Sequence, residues 1–542
     1  MSKDVDNIFG KIALILVFGS ALLHGWLSVL QFFVHQEEVL LPVDCMLFIA
    51  AAATVLISIL TSRRQVRIRI GHAMTVFLLA ALLISCVPAS FYFEKNMFYS
   101  NRIYLLDTFV TLLLFYPLGH YMGRQRNLTP LRVWLHIHLA VWTGFMIFAI
   151  KTAFSYKDIL LPAGGALTMG KYMMGLHFNC NTNTTGLIQM IAFLGAILLF
   201  FWDKTIPGKV LSAVMVLVNY LGAVLSFSKT SLVVSVLGAG LMVFTWVSRV
   251  KSQRSGRSGK KQAAIAAVLF IVVLLIINSA VTKAFWIGKE KRNNPSAAGG
   301  EISETLETSE SAGISESVGI SDAGEISDIA EITESLKNGE RVSPEKTAAF
   351  SQQNVLPGLP DPFVIRAEAS EPEEESAGSN GGFLNRFLTG RPEIWKASVK
   401  AMFVDPPQRL LTGISPKGVF VAVFEASGGV HKKNTHNQFL EIGLALGIPS
   451  LIVFLCFLGY TIRNIIRLFR NRGTDPALLL LPVLFAMLLL SNMTEATLLF
   501  YQFPSAYVFF FVCGLLNERG IRAGKSVSAQ KASRSGSVPP KQ

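Results

Sequence analysis

A lysine, an arginine and a histidine, expected at the outer side of the long apolar segments of the sequence, are suited to chemistry on an anionic substrate. They are Lys229, Arg391 and His436, in the segments Ser226-Phe-Ser-Lys-Thr-Ser, Gly390-Arg-Pro-Glu-Ile-Trp and Thr435-His-Asn-Gln-Phe-Leu-Glu. Two fixed cations neutralise a phosphate group, and an imidazole takes up a proton near neutral pH. Because a charge at membrane depth is expensive, we expect these residues to converge on a membrane-embedded substrate that carries phosphate.

Each of these residues also has a structural interpretation that the sequence leaves open. Lys229 is long enough to extend from a helix end to the membrane interface. Arg391 can pair with acidic residues that precede it in the chain. Asn437 is a favoured helix N-cap, and in that case His436 is an ordinary residue before a cap.

The composition indicates that most of the chain lies in a membrane. Of 542 residues, 51% are hydrophobic and 15% are charged, whereas soluble proteins have about 25% charged residues. The apolar residues form blocks of about 18 to 24, the length of a helix that crosses the hydrocarbon core. Glu441 and Glu495 are two of the few carboxylates in or near these blocks. We predict an all-α fold, a polytopic transmembrane bundle of about twelve helices with one large extracytoplasmic loop.

The apolar blocks give the predicted spans directly. They are Ile12–Val34, Leu40–Thr61, Ile70–Phe91, Tyr104–Tyr121, Val133–Phe154, Thr184–Trp202, Val210–Phe227, Ser231–Val247, Ala263–Val281, Phe439–Ile462, Ala477–Asn492 and Leu498–Leu516. The first block lacks a small-residue cleavage site and is followed by further spans, so we interpret it as an anchor and not as a removed signal peptide.

Basic residues between the predicted spans set the expected orientation. With a cytoplasmic N-terminus, every inner loop carries lysines or arginines; the densest group is Arg249, Lys251, Arg254, Arg257, Lys260 and Lys261. The positive-inside rule therefore predicts that both termini are cytoplasmic in a multi-pass protein of the cytoplasmic membrane. The same distribution explains the formal charge of +14 without a nucleic-acid partner.

One long connection, from Lys283 to about His436, is expected outside the cytoplasm. Its first part, Asn293–Asn380, is rich in Glu, Ser, Gly and Ala and repeats motifs such as Glu325-Ile-Ser-Asp. The repeat has too few apolar residues to bury a core, which favours a solvated, disordered insertion over a β-helix. From Gly382 onward, aromatic, proline and basic residues predict a segment that folds against the membrane.

These features divide the chain into six predicted parts. They are transmembrane helices in 1–209 and 210–282, the acidic insertion 283–381, the membrane-facing catalytic loop 382–437, transmembrane helices in 438–516 and a basic cytoplasmic tail 517–542.

The cysteines indicate neither a disulfide framework nor a metal site, because they are scattered and none forms a Cys-x-x-Cys pair. They are Cys45, Cys86, Cys180, Cys456 and Cys513. No cofactor or metal ion is predicted.

The segment His436-Asn-Gln-Phe-Leu-Glu-Ile-Gly-Leu-Ala-Leu-Gly runs directly into a predicted span. It resembles the His-Asn-x-x-Leu signature, with a downstream glycine, of the O-antigen ligase and Wzy-type polymerase superfamily. Upstream, the segment from Gly390 to Trp395, together with Pro406 and Gly413, resembles the loop that precedes this signature in the family.

Two further segments add to the resemblance, which covers about Val210 to Tyr460. The segment Ser226–Ser231 is similar to the Ser-Arg-Thr-type motif that opens a span. The segment Asn179-Cys-Asn-Thr-Asn before the sixth predicted span is similar to an Asn-Pro-Asn element, although the proline is absent.

The resemblance implies a metal-independent, inverting glycosyltransferase of cell-surface polysaccharide assembly that acts at the outer face of the cytoplasmic membrane. Members take a glycan from a polyprenyl carrier such as undecaprenyl diphosphate and place it on an acceptor hydroxyl. Carried over by position, Arg391 would hold the diphosphate, and His436 would orient or deprotonate the acceptor hydroxyl. Lys229, Asn437 and Glu441 are expected to bind diphosphate or glycan. The family usually has arginine where this chain has Lys229, and lysine lacks the bidentate fork.

The expected partners are the polyprenyl diphosphate-linked glycan, a glycan or lipid acceptor and the lipid bilayer. Ligase and polymerase differ in the acceptor, and both interpretations stay open. The main alternative is a transporter or flippase, although the halves show no repeat and the polar candidates lie at one face instead of mid-membrane. A non-catalytic surface scaffold that presents the acidic loop is a third interpretation.

Overall fold

Helices make up almost all of the part of the chain that is described. The computed structural model describes residues 70–92, 97–125, 127–155, 159–160, 166–167, 182–255, 259–293, 391–403, 408–427, 435–471, 473–500 and 504–534. The predicted spans Ile12–Val34 and Leu40–Thr61, and the acidic insertion after Asn293, lie outside these residues. Described residues from both sides of the insertion belong to one compact unit. The predicted all-α class is confirmed for this part.

Long helices dominate the chain before the insertion. They are α1 (Ile70–Tyr92), α2 (Met97–Ser100), α3 (Arg102–Val110), α4 (Tyr116–Arg124), α5 (Thr129–Ser155), α6 (Thr182–Trp202), α7 (Ile206–Leu225), α8 (Lys229–Ser255) and α9 (Lys260–Asn293). A π-helical turn, Thr111–Phe115, joins α3 to α4 next to Pro117, which has no N–H to donate to the preceding turn. Two short strands, Ile159–Leu160 and Ala166–Leu167, pair antiparallel.

Shorter helices alternate with long ones after the insertion. They are α10 (Arg391–Met402), α11 (Gln408–Thr412), α12 (Ser415–Ala426), α13 (Gln438–Leu446), α14 (Ile448–Arg470), α15 (Leu481–Ser491) and α16 (Pro504–Arg534). A 3-10 turn, Pro476–Leu480, leads into α15.

Eight of the described helical segments are long and apolar enough to cross a membrane, so the chain is a multi-pass membrane protein. They are Ile70–Phe91, Tyr104–Arg124, Thr129–Lys151, Thr185–Trp202, Ile206–Leu225, Lys229–Gln253, Lys260–Gly288 and Ile448–Arg470. The first seven correspond to the third to ninth predicted spans. The total of about twelve spans and the six-part division of the chain stay predictions.

The tenth predicted span, Phe439–Ile462, is wrong as a single helix. The chain forms α13 and α14 instead, and Gly447 between them has φ 84° and ψ 164°, a backbone region that is essentially restricted to glycine. Pro449 stands in the first turn of α14, where its missing N–H costs no helical hydrogen bond. A Cβ at Gly447 would lie 2.4 Å from Leu411 O, so glycine lets the break pack directly against α11.

We expect Gly447→Ala to destabilise the protein and Gly459→Ala to be tolerated. A side chain at position 447 would meet backbone atoms in a conformation that costs non-glycine residues about 1 to 3 kcal/mol. Gly459 lies inside α14 with open space around its Cβ position, so alanine there gains about 1 kcal/mol in helix propensity. Thermal unfolding of both purified variants in one detergent checks this. Equal unfolding temperatures would contradict a glycine requirement at the break.

The last two predicted spans are confirmed only in part. The eleventh, Ala477–Asn492, matches the helical segment Pro476–Ser491 to within one residue at each end, but this segment is shorter than the eight spans above. The twelfth is wrong at its start, because α16 begins at Pro504 instead of Leu498. Leu498 belongs to a loop, because its N–H donates to Gln438 Oε1 at 2.7 Å instead of to a helical carbonyl. This loop, residues 492–500, carries Glu495.

Helix α16 lies in the core of the bundle, against α4. A Cβ at Gly119 would lie 1.9 Å from Phe511 O, so the two backbones approach as closely as glycine allows. Small residues at such contacts are typical of helices that associate within a bilayer. In the same pair of helices, His120 Nε2 lies 2.9 Å from Glu518 Oε2, and both side chains are buried. At its start, α16 is bonded to the 492–500 loop, because Ser505 Oγ donates to Thr497 O at 2.9 Å.

Candidate active site

Arg391, His436 and Glu495 form one cluster although they lie far apart in the sequence. Arg391 Nη2 donates to Glu495 Oε1, and His436 Nδ1 lies 3.0 Å from Glu495 Oε2. Arg391 is 5% exposed and Glu495 is 7% exposed, and the His436 side chain is 12% exposed. A cation, a carboxylate and an imidazole therefore share a largely desolvated position.

Separate elements position these side chains. Arg391 is the first residue of α10, His436 lies in the turn before α13, and Glu495 lies in the 492–500 loop. Helix α8 adds Thr230 in its first turn, with Oγ1 3.5 Å from Arg391 Nη1. Lys229 adjoins Thr230 and is exposed. The structure thus brings Arg391 and His436 together and places Lys229 next to a residue that contacts Arg391.

Serine side chains fix the start of α8. Ser228 Oγ accepts from the N–H of Ser231 at 3.4 Å, as an N-cap side chain does. Ser228 Oγ also lies 3.2 Å from Asn183 Oδ1. A Cβ at Gly186 would lie 2.5 Å from Ser228 Cβ, so the start of α6 packs on this turn. Asn183, the last residue of one segment that carries the family resemblance, therefore contacts the segment Ser226–Ser231 beside Lys229.

The backbone of His436 is left-handed, with φ 47°. This conformation is uncommon outside glycine and costs about 1 to 2 kcal/mol. The other described non-glycine residues with positive φ are Phe227, Ser415 and Phe500. They lie before α8, at the start of α12 and in the 492–500 loop. Three of the four residues, Phe227, His436 and Phe500, therefore lie in the connections that carry or adjoin the cluster, and strained backbone of this kind is typical of functional sites.

Glu441 holds the turn in front of His436. The N–H of Thr435 donates to Glu441 Oε2 at 3.0 Å, and Thr435 Oγ1 lies 2.8 Å from the same oxygen. Glu441 and Thr435 are fully buried. The sequence predicts that Glu441 binds substrate, whereas the structure gives its carboxylate a role in holding the His436 turn.

Asn437 holds the turn behind His436. Its Oδ1 accepts from the N–H groups of Phe439 at 3.0 Å and Leu440 at 3.2 Å, which makes it the N-cap of α13. Its Nδ2 donates to Met493 O at 3.0 Å. In the structure, Asn437 therefore caps a helix and binds the 492–500 loop. The sequence predicts in addition that Asn437 contacts the substrate.

The 492–500 loop is bonded to the start of α13. The N–H of Gln438 donates to Asn492 O at 3.0 Å, and Gln438 Oε1 accepts from the N–H of Leu498 at 2.7 Å. Within the loop, Asn492 Oδ1 accepts from the N–H of Thr497 at 2.8 Å. These bonds fix the position of Glu495 relative to His436.

Glu495 is the residue that the sequence did not assign to the site. Its position close to apolar segments indicates that Glu495 needs a partner, because an uncompensated charge is costly there. That signal does not name the partner, because Glu495 is 59 residues from His436 and 104 from Arg391 along the chain. Only the fold shows that one carboxylate contacts both.

The charges of the cluster define the chemistry open to it. Arg391 and Glu495 compensate each other as an ion pair. Lys229 makes no ion pair with any residue in the described ranges and is exposed, so it can meet an anionic group. An imidazole held by a carboxylate can take a proton from a hydroxyl. In the same ranges, no three His, Cys, Asp or Glu side chains group as metal ligands.

Fold and cluster together define a multi-pass helical membrane protein with a buried Arg–Glu–His cluster. Comparison of the chain with protein-family models and with curated proteins found no match. Membership of the O-antigen ligase superfamily therefore stays a hypothesis from the motifs.

Proposed function

We propose that this protein is a membrane glycosyltransferase that moves a glycan from a polyprenyl diphosphate carrier to an acceptor hydroxyl. The convergence of Arg391, His436 and Glu495 beside the start of α8 carries the proposal. Cationic groups in a multi-pass membrane protein favour an anionic, lipid-linked substrate, and a histidine held by a carboxylate favours proton transfer. The similarity of the His436 segment to the ligase and polymerase signature supports the same reaction.

The chemistry of this transfer matches the groups present. The acceptor oxygen bonds to the anomeric carbon while the bond from that carbon to the diphosphate oxygen breaks. His436 takes the hydroxyl proton, and the electron pair of the broken bond stays on the diphosphate. The negative charge that grows on the leaving group needs a fixed cation, which Lys229 provides. Attack opposite the leaving group inverts the anomeric configuration.

Transfer by the purified protein tests the proposal. The full-length chain in nanodiscs receives a polyprenyl diphosphate-linked glycan and an acceptor, and mass spectrometry follows both. We expect a new glycosidic bond and release of the carrier diphosphate, at the same rate with a chelator present. A product on a core acceptor identifies a ligase, and a longer glycan on the carrier identifies a polymerase. Movement of intact donor across a liposome membrane, without a new bond, would support a flippase instead.

The proposal also requires a particular orientation in the cytoplasmic membrane. We propose about twelve spans, cytoplasmic termini and an active site that faces outward. Reporter fusions at Lys260 and in the C-terminal tail are expected to give cytoplasmic signals, and a fusion at Gly324 an external one. A cytoplasmic signal at Gly324 would place Arg391 and His436 on the wrong side for an extracytoplasmic transferase.

A further inference from the structure

We propose that Glu495 is a positioning residue that holds His436 as the proton acceptor, and that Arg391 in turn holds Glu495. This role rests on the proposed transfer reaction and adds to it a residue outside the family-like motifs. It also separates the two cations of the site: Arg391 acts on the protein, and Lys229 acts on the substrate.

The two carboxylate oxygens of Glu495 have different partners. Oε1 accepts from Arg391 Nη2, and Oε2 lies 3.0 Å from His436 Nδ1. With 7% exposure, Glu495 is largely shielded from water. A carboxylate in such a place needs a compensating charge, and Arg391 supplies it. The carboxylate is therefore fixed between the arginine and the imidazole.

The tautomer of His436 follows from this contact. An ionised carboxylate only accepts hydrogen bonds, so Nδ1 carries the hydrogen that points to Glu495 Oε2. The lone pair of the neutral ring is then on Nε2, which is the nitrogen that takes the proton of the acceptor hydroxyl. The imidazolium formed in this step lies beside the negative charge of Glu495, which stabilises it.

The contact between His436 Nδ1 and Glu495 also fixes the orientation of the imidazole ring. The left-handed residue is fixed on one side by Thr435 and Glu441 and on the other by the Asn437 cap. These bonds place the Cα and Cβ of His436 but leave rotation about the side-chain bonds. The bond from Nδ1 to Glu495 restricts that rotation, so the imidazole is positioned before the substrate binds.

Arg391 acts through Glu495 in this arrangement. Its Nη2 donates to the carboxylate, and its Nη1 lies 3.5 Å from Thr230 Oγ1. With 5% exposure it presents little surface to a substrate. Lys229 is exposed at the start of α8 and is the residue that meets the diphosphate. The resemblance instead implies that Arg391 binds the diphosphate itself.

A double-mutant cycle with Glu495→Gln and His436→Ala tests the role of Glu495 in the transfer assay. Glutamine keeps the shape but removes the charge, and its amide can donate to Nδ1, which favours the wrong tautomer. We expect kcat to fall about 10²- to 10⁴-fold, with little change in KM for the lipid-linked donor. In the His436→Ala background we expect less than about a two-fold further loss, because Glu495 acts only through the ring. Glu495→Asp should restore part of the rate.

Glu518→Gln is the matched control. It removes another buried glutamate–histidine contact, 2.9 Å from His120 Nε2, outside the cluster. The transfer rate of each variant is divided by its amount of folded protein, which is determined from membrane yield and thermal unfolding. We expect the normalised kcat of Glu518→Gln to equal that of the wild type, whereas that of Glu495→Gln falls.

Several outcomes would overturn the role of Glu495. They are near-normal transfer by Glu495→Gln, or losses that multiply in the double variant. An inactive wild type contradicts the proposed function and this role with it, whereas an active wild type with multiplying losses contradicts this role alone. If transfer by His436→Ala is below detection, acylation of His436 by diethyl pyrocarbonate at alkaline pH replaces the cycle. Acylation should then be several-fold slower in Glu495→Gln, and equal rates would overturn the proposal.

Discussion

Replacing His436 with alanine is expected to reduce glycan transfer about 10²- to 10⁴-fold, the usual contribution of a placed acid–base group. The variant loses the group that accepts the hydroxyl proton and keeps the N-cap of α13, because the cap comes from Asn437. We therefore expect normal membrane insertion and thermal stability close to that of the wild type. The measurement is kcat with purified lipid-linked donor in nanodiscs.

His136→Ala is the matched control for this substitution. His136 is also a partly buried histidine with a carboxylate partner, Asp203 Oδ2 at 2.8 Å, but it lies in α5 and outside the cluster. We expect it to transfer glycan at the wild-type rate per folded molecule. Near-normal transfer by His436→Ala would leave helix capping as the function of this segment and would remove the chemical basis of the proposal.

The long helices could be predicted from the sequence because each depends on a local property. A block of apolar residues must satisfy its backbone within one helix if it crosses a bilayer. The third to ninth predicted spans therefore have counterparts among the described helices. The tenth predicted span is wrong because the backbone conformation at Gly447 interrupts the helix. Apolar residues continue through Gly447, and hydropathy carries no information about the positive φ at which the helix breaks.

The site could be predicted only in part, for a related reason. The sequence identifies Arg391 and His436 because each occurs in a short motif. A charge such as that of Arg391 is costly at membrane depth, and the imidazole of His436 can take a proton near neutral pH. The bridging role of Glu495 depends on the packing of α10, α13 and the 492–500 loop, none of which is encoded by spacing along the chain. The sequence predicts that Asn437 and Glu441 bind substrate, but whether a polar group faces substrate or the protein's own backbone is decided by the fold.

The two cations of the site are expected to fail in different ways when each is removed. Arg391→Ala should lower kcat about 10²- to 10³-fold with little change in KM, a loss within the contribution of the placed base that it holds through Glu495. It leaves Glu495 without its cation and loosens the hold on His436. Lys229→Ala should lower kcat and also raise KM for the lipid-linked donor, because this exposed charge contacts the diphosphate before reaction and neutralises the charge that grows on it. Initial rates over a range of donor concentrations measure both effects.

Conservative replacements of the same residues are expected to keep part or all of the activity. Arg391→Lys keeps the charge, but a single ammonium replaces the fork that reaches both Glu495 and Thr230, so we expect partial activity. Lys229→Arg should be tolerated, because a guanidinium at this exposed position binds phosphate at least as well. A raised KM for the lipid-linked donor in Arg391→Ala would mean that Arg391 binds the diphosphate directly, as the resemblance implies. Glu495 would then compete with the diphosphate for Arg391. Any effect of Glu495 on His436 would not depend on Arg391.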